Sequence, residues 1–235
     1  MSWQAKPSGP YSMGSTENNA NTDEVWAILN SYGYTEEAAA GVLGNIQAES
    51  GNNPWRWQSD TVNTSAGYGM FQFTPASGYL SLSGTMPNMS TSQATTGSSP
   101  DDGGRQVYAY ASNELHKWVS SAWRPYWDRN TYATLYSKRN AWLTQFGNGS
   151  RITMSQFAQV TDVEAATFFH LACFEGPATP NLATRYTYAQ QFYNYISGSP
   201  TPPTPPTPPI PPTGDGLPVW LMWALKNNLD RILKT

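Results

Sequence analysis

Cysteine is almost absent from this 235-residue sequence, where Cys173 stands alone. That excludes an internal disulfide and a four-cysteine metal site. Charge is scarce too, at 12% of residues, with a net charge of -3 and a pI near 5.3. A chain this poor in Lys and Arg has no surplus to neutralise phosphates, which argues against nucleic acid as a partner. It argues equally against electrostatic capture by an acidic wall or membrane. No run of about 18 apolar residues occurs, so no spanning helix is expected. Met1 to Asn21 is polar and lacks the apolar core of a secretory signal, so any exit from the cytoplasm is expected by another route. His116 and His170 have no ligand cluster beside them and no phosphate-cradling glycine loop is present, so no metal or other cofactor is expected.

What the chain does have is aromatic rings and uncharged polar groups. Its 10 Trp and 14 Tyr, set among Ser, Thr, Asn and Gln, suit a ligand that offers C–H faces and hydroxyls. Carbohydrate is such a ligand. The pattern predicts an N-terminal arm over 1–21 and a main domain over 22–198. A Thr/Pro-rich linker over 199–213 and an amphipathic docking helix over 214–235 follow. The Thr-Pro-Pro repeat of the linker favours extended polyproline II, long enough to hold a terminal peptide ~35–40 Å away. Leu217, Trp220, Leu221 and Leu225, with Lys226 and Arg231 beyond, make that peptide amphipathic.

Within the domain, Thr22–Asp23 and Thr35 read as helix caps and Gly51 as a helix stop. Tyr68-Gly69-Met70-Phe71-Gln72-Phe73 reads as a small β-hairpin, and Thr74-Pro75 as the start of another helix. Ser81 to Gly104 is a long loop. Helices follow from about Arg105 and Arg129, with capping boxes at Thr153–Gln156 and Thr161–Glu164. His170 and Cys173 lie in an apolar run, where ordinary packing outweighs a nucleophile–base pair.

One carboxylate is out of place. Ala39, Val42 and Ile46 define an inward stripe, and Glu49 falls seven residues after Val42. Seven residues return a helix to within ~20° of its starting direction, so Glu49 points with the apolar residues. It also sits in the last helical turn, where free carbonyls and partial burial disfavour an ionised carboxylate. A carboxylic acid kept protonated is what glycosidic cleavage needs at the leaving oxygen.

Around this residue the sequence resembles the phage tail lysozyme family. The resemblance lies in Ala40-Gly41-Val42-Leu43-Gly44-Asn45-Ile46-Gln47-Ala48-Glu49-Ser50-Gly51 with Asn53-Pro54. It continues in Gly67-Tyr68-Gly69-Met70-Phe71-Gln72-Phe73-Thr74-Pro75 and in Phe174-Glu175-Gly176-Pro177, spanning roughly Asp23 to Ser197. The Glu-Ser pair and the glycine–aromatic turn are also similar to lytic transglycosylases and goose-type lysozymes. The resemblance implies a mainly α, bilobed α+β domain with a small β element and a glycan cleft between lobes. It implies Glu49 as the catalytic acid, Gln72 on the cleft floor and Gly69 admitting the backbone to the substrate. Trp55, Trp57, Tyr68 and Phe71 are candidate sugar platforms, each weighed against ordinary packing. Asp60, on the loop between the Glu49 helix and the turn, is favoured slightly over Glu175 as a second carboxylate.

The expected function is a phage muramidase-type glycosidase acting on peptidoglycan between N-acetylmuramic acid and N-acetylglucosamine. It would be carried on the virion tail through residues 217–235, and membrane contact by that helix ranks below tail docking. Transglycosylation, a released endolysin, a non-catalytic wall-binding module and a structural virion protein stay open at this point.

Overall fold

The structure, a computed structural model, describes residues 3–85 and 102–198. The expected linker, the terminal docking helix and most of the Ser81–Gly104 loop lie outside the described residues. The architecture is mainly helical. In chain order come α1 (Thr16–Ser31), α2 (Glu36–Ser50), a short 3-10 turn (Gln58–Asp60), α3 (Ala76–Leu80) and α4 (Asp102–Ala111). Then follow α5 (Ala133–Phe146), α6 (Met154–Phe157), α7 (Val163–His170) and α8 (Leu182–Ser197), with a π turn (Leu171–Glu175) continuing α7.

Helix α2 is the axis of the domain. The Thr35 side chain caps it by accepting from the Ala38 amide at 3.1 Å, and Gly51 ends it in the left-handed region at φ 63°. Every residue from Ala38 to Ile46 is buried. Such a helix needs neighbours on several sides, and α7 and α8 supply the closest ones. Glycine inside a helix costs about 0.5–1 kcal/mol relative to alanine, so two of them need a packing reason. A Cβ on Gly41 would lie 2.6 Å from the Ala166 carbonyl carbon of α7, and one on Gly44 would lie 2.5 Å from the Arg185 carbonyl oxygen of α8. The glycines let three helix backbones meet. That contact brings α8, with Arg185, against the turn of α2 that carries Glu49.

Several local expectations are corrected. Helix α1 begins at Thr16, where the Ser15 side chain accepts from the Asn18 amide at 3.2 Å. Thr22 lies inside the helix and donates to the Asn18 carbonyl instead. The expected boundary at residue 22 therefore falls within α1, and the segment before it is fastened to the domain. Trp3 is buried in the core. The Asn21 amide bridges Gln4 and the Asn52 carbonyl, and the Asn53 amide donates to the carbonyls of Lys6 and Gly9.

The anticipated hairpin is reduced to two isolated bridges, Trp57 with Tyr68 and Tyr68 with Phe73. Positive φ at Gly69 (79°) and Gln72 (42°) turns the chain too tightly for strands to extend. Thr74 does not cap a helix; its hydroxyl donates to the Gln72 carbonyl, and Pro75 takes the cap position of α3. The Thr153–Gln156 capping box forms as expected, but α7 is capped by Asp162 rather than Thr161. The Asp162 carboxylate accepts from the Ala165 amide at 2.8 Å.

Candidate functional site

Glu49 at the end of α2 and Glu175 at the end of the π turn open onto one cavity of about 300 Å³. The rest of its lining comes from Arg56, Gln58, Ser59, Gln72, Thr74 and Pro177. Each carboxyl is delivered by a distinct local device. Glu49 rides on the axial helix. Glu175 is aimed by the π turn, whose wider winding closes with the Gly176 amide donating to the Leu171 carbonyl at 2.7 Å. Gly176 then reverses the chain at φ 59°, and a Cβ there would strike the Arg124 guanidinium.

The two carboxyls have opposite surroundings. Arg185 Nη2 donates to Glu49 Oε1 at 2.5 Å, while Arg185 Nη1 reaches Asn45 Oδ1 at 3.1 Å. Buried Asn45 is held in turn by donating to the Gly41 and Thr167 carbonyls. A polar column thus runs from α7 through α2 to α8 and ends on Glu49, whose side chain is 24% exposed. The unpaired acid on an apolar stripe expected from sequence is instead the tip of an ion pair.

The carboxyl held neutral is Glu175. Its side chain is only 8% exposed, and its Oε1 makes no hydrogen bond among the described residues. Burial first, and then the charge on Glu49, raise its pKa to about 8, although Arg185, Lys117 and Arg124 pull the other way. His170 Nδ1 lies 3.8 Å from that oxygen, and burial followed by Arg185 pushes the imidazole well below its usual range, so it is neutral. Cys173 is buried and its thiol is pushed up, chiefly by burial, which leaves no nucleophile–base pair with His170.

The sign of the resulting pH dependence is set by that raised value. Folded Glu175 keeps its proton up to about pH 8, against 4.5 for the ordinary carboxyl, so folding loses stability as pH rises through this window. Glu175→Gln should therefore gain stability over the wild type between pH 5 and pH 9, by at most about 4–5 kcal/mol. Urea midpoints at the two pH values measure it. A parallel pH response in both proteins would show that Glu175 ionises freely in the fold.

The other residues singled out from sequence divide clearly. Gln72 lines the cavity, and its side-chain amide donates to the Arg56 and Gly69 carbonyls, which ties the turn together. Asp60 does not line the cavity. It is 40% exposed, paired with Arg56 at 3.1 Å, and accepts from the Gly9 amide at 3.0 Å. The loop turns it toward the N-terminal segment. Trp55, Trp57, Tyr68 and Phe71 are all buried, so none presents an open face. Phe71 stacks on Tyr110 at 4.7 Å, and Trp57 packs on Tyr68 at 4.6 Å. They form the foundation under the turn.

Gly69 has a different duty from the one expected. A Cβ there would lie 2.2 Å from the side-chain oxygen of Gln106. That buried amide accepts from the Met70 amide and donates to the Pro54 carbonyl, clamping two loops of the site. Arg185, Gln106 and the π turn escaped the sequence reading. Arg185 carried a usable signal, because it shares the helical period of Ala189, Phe192 and Ile196 and is a charge on an apolar stripe. No group of His, Cys, Asp and Glu suited to a metal occurs among the described residues, and none of their helices is long and apolar enough to cross a membrane.

The phage tail lysozyme family matches residues 20–196 of the chain. The chain is also 29% identical over 185 residues to Morphogenesis protein 1 of Bacillus phage B103, covering 77% of this chain and 40% of that relative. It thus spans less than half the length of that relative. A match across α1 to α8 takes in both cavity carboxyls and the turn that contributes Gln72 to the cavity: the chain belongs to the phage tail lysozyme family.

Proposed function

We propose that the protein is a lysozyme-type glycosidase that cuts the peptidoglycan strand between N-acetylmuramic acid and N-acetylglucosamine. The observation that carries this reading is the pair of carboxyls facing one polar cavity in unlike surroundings, Glu49 paired with Arg185 and Glu175 buried. Glycosidic cleavage divides its work in that way, with one group giving a proton to the leaving oxygen and another bearing charge or positioning water. Glu49 is the donor in this reading, because it is the more exposed of the two and stands at the family's Glu-Ser position. A sugar ring filling the cavity displaces water and favours a proton on the carboxyl facing the leaving oxygen. Glu175, rather than Asp60, is the second carboxyl; with the proton on Glu49, the charge that helps keep Glu175 neutral is gone and Arg185, Lys117 and Arg124 favour its ionised form. Gln58, Gln72 and Thr74 offer amide and hydroxyl groups to the sugar.

A second reading exchanges the two roles, and the Arg185–Glu49 pair favours it. Glu175 would give the proton and Glu49 would bear the charge. An aryl glycoside whose leaving group needs no protonation separates the readings. The variant lacking the donor keeps its activity on that substrate and loses it on natural glycan.

The match to a phage morphogenesis protein supports a virion-borne enzyme acting at the host wall. Residues 217–235 would dock it to a tail protein through the linker over 199–213. Mass spectrometry of fragments released from purified wall tests the activity itself. Reducing N-acetylmuramic ends support hydrolysis, anhydro ends support transglycosylation, and intact glycan strands would remove the glycosidase reading.

A further inference from the structure

Among the described residues the cavity is lined by no aromatic ring, and the rings expected to serve as sugar platforms lie in the core. Tyr126 is the exception in its surroundings. It is 57% exposed, and every other aromatic among the described residues is buried or half-buried. Its hydroxyl donates to the Gly176 carbonyl. Gly176 stands between Glu175 and Pro177, both of which line the cavity. The next residue, Trp127, is buried and donates from its indole nitrogen to the Pro177 carbonyl at 2.8 Å. Trp127 also packs edge-on to Trp123 at 5.3 Å. Tyr126 is thus an open ring on a braced loop, tied by its own hydroxyl to the rim of the site.

A ring held in place loses little side-chain freedom on binding, which is the condition for an efficient stacking surface. An exposed aromatic face with no charge requirement fits the C–H face of a pyranose. We infer that Tyr126 is a sugar-stacking platform that extends the cavity along the glycan strand and seats a residue beyond the bond being cut. This rests on the glycosidase reading and adds a binding position to it. The consequence is a dependence on chain length. Short oligosaccharides that fill only the cavity miss the ring, whereas longer strands reach it.

The test compares wild type, Tyr126→Ala, Tyr126→Gln and Tyr126→Trp on soluble glycan strands of graded length. Thermal melting confirms that each variant is folded. The expected result is a five- to tenfold loss in kcat/KM on long strands for the Ala and Gln variants, carried by KM. The loss should shrink on short oligosaccharides, and the Trp variant should recover most of it. An unaltered KM on long strands, or a loss of equal size on all lengths, would overturn the inference. Binding of the same strands to the Glu49→Gln protein, with and without Tyr126→Ala, gives a readout independent of turnover. If the wild type cuts no glycan, the glycosidase reading fails on its own. In that case Tyr126 is judged by strand binding alone, and equal binding with and without the ring overturns it.

Discussion

Glu49→Gln should lower the rate of glycan cleavage by about 10³-fold while leaving the fold intact. The size follows from what a positioned acid or base contributes, which spans about 10²–10⁴-fold. Both assignments of the donor give this result, because Glu49 either donates the proton or bears the charge that answers it. The structure should survive, since the glutamine oxygen still accepts from Arg185 and the volume is conserved. Fragment release from purified wall, with melting curves of both proteins, checks the two halves together. Activity within tenfold of wild type would remove Glu49 from the chemistry. A matching loss in Glu175→Gln is expected, and Asp60→Asn should stay within about threefold, because that side chain points to Gly9 and Arg56.

Arg185→Met should cost about 3 kcal/mol of stability, the usual scale for removing one partner of a largely buried pair. The loss has two parts. Glu49 is left beside α8 without its partner, and Asn45 loses the guanidinium that meets its side-chain oxygen at 3.1 Å. Adding Glu49→Gln to this variant should return part of the loss, since a neutral amide tolerates the site better than a stranded charge. The two substitutions are in contact, so their effects should fall short of a simple sum. Urea denaturation of the four proteins closes the cycle. Full additivity would show that the pair is solvated and carries little energy. Cleavage should also fall by at least tenfold, because Glu49 would no longer be held in one orientation.

The central helix was legible because its signals are local. Thr35 and Gly51 mark its ends by capping chemistry, and the seven-residue step from Val42 to Glu49 predicts direction without any tertiary knowledge. Partners that lie far apart in sequence were not legible in the same way. Arg185 lies 136 residues from Glu49, and nothing in the chain states that Gly44 brings their helices into contact. The aromatic residues misled for a related reason. Trp55 and Tyr126 have the same general chemistry in the sequence, yet one is buried and the other exposed, and only packing decides. Asp60 and Glu175 were separated by backbone form. A left-handed residue pair at Ser59 and Asp60 turns one carboxylate outward, and a π turn with no sequence signature turns the other inward.

The meeting of α2, α7 and α8 at Gly41 and Gly44 has a practical consequence for redesign. The acidic groups hang from backbone that cannot spread without parting three helices, whereas Gln58 and Ser59 sit on the short 3-10 turn and Thr74 and Pro177 on connecting loops. In the proposed glycosidase, sugar preference is therefore open to change by loop grafting or random substitution at those positions, with Glu49 and Glu175 left in register. The same contact makes residues 41 and 44 poor choices for any mutagenic library.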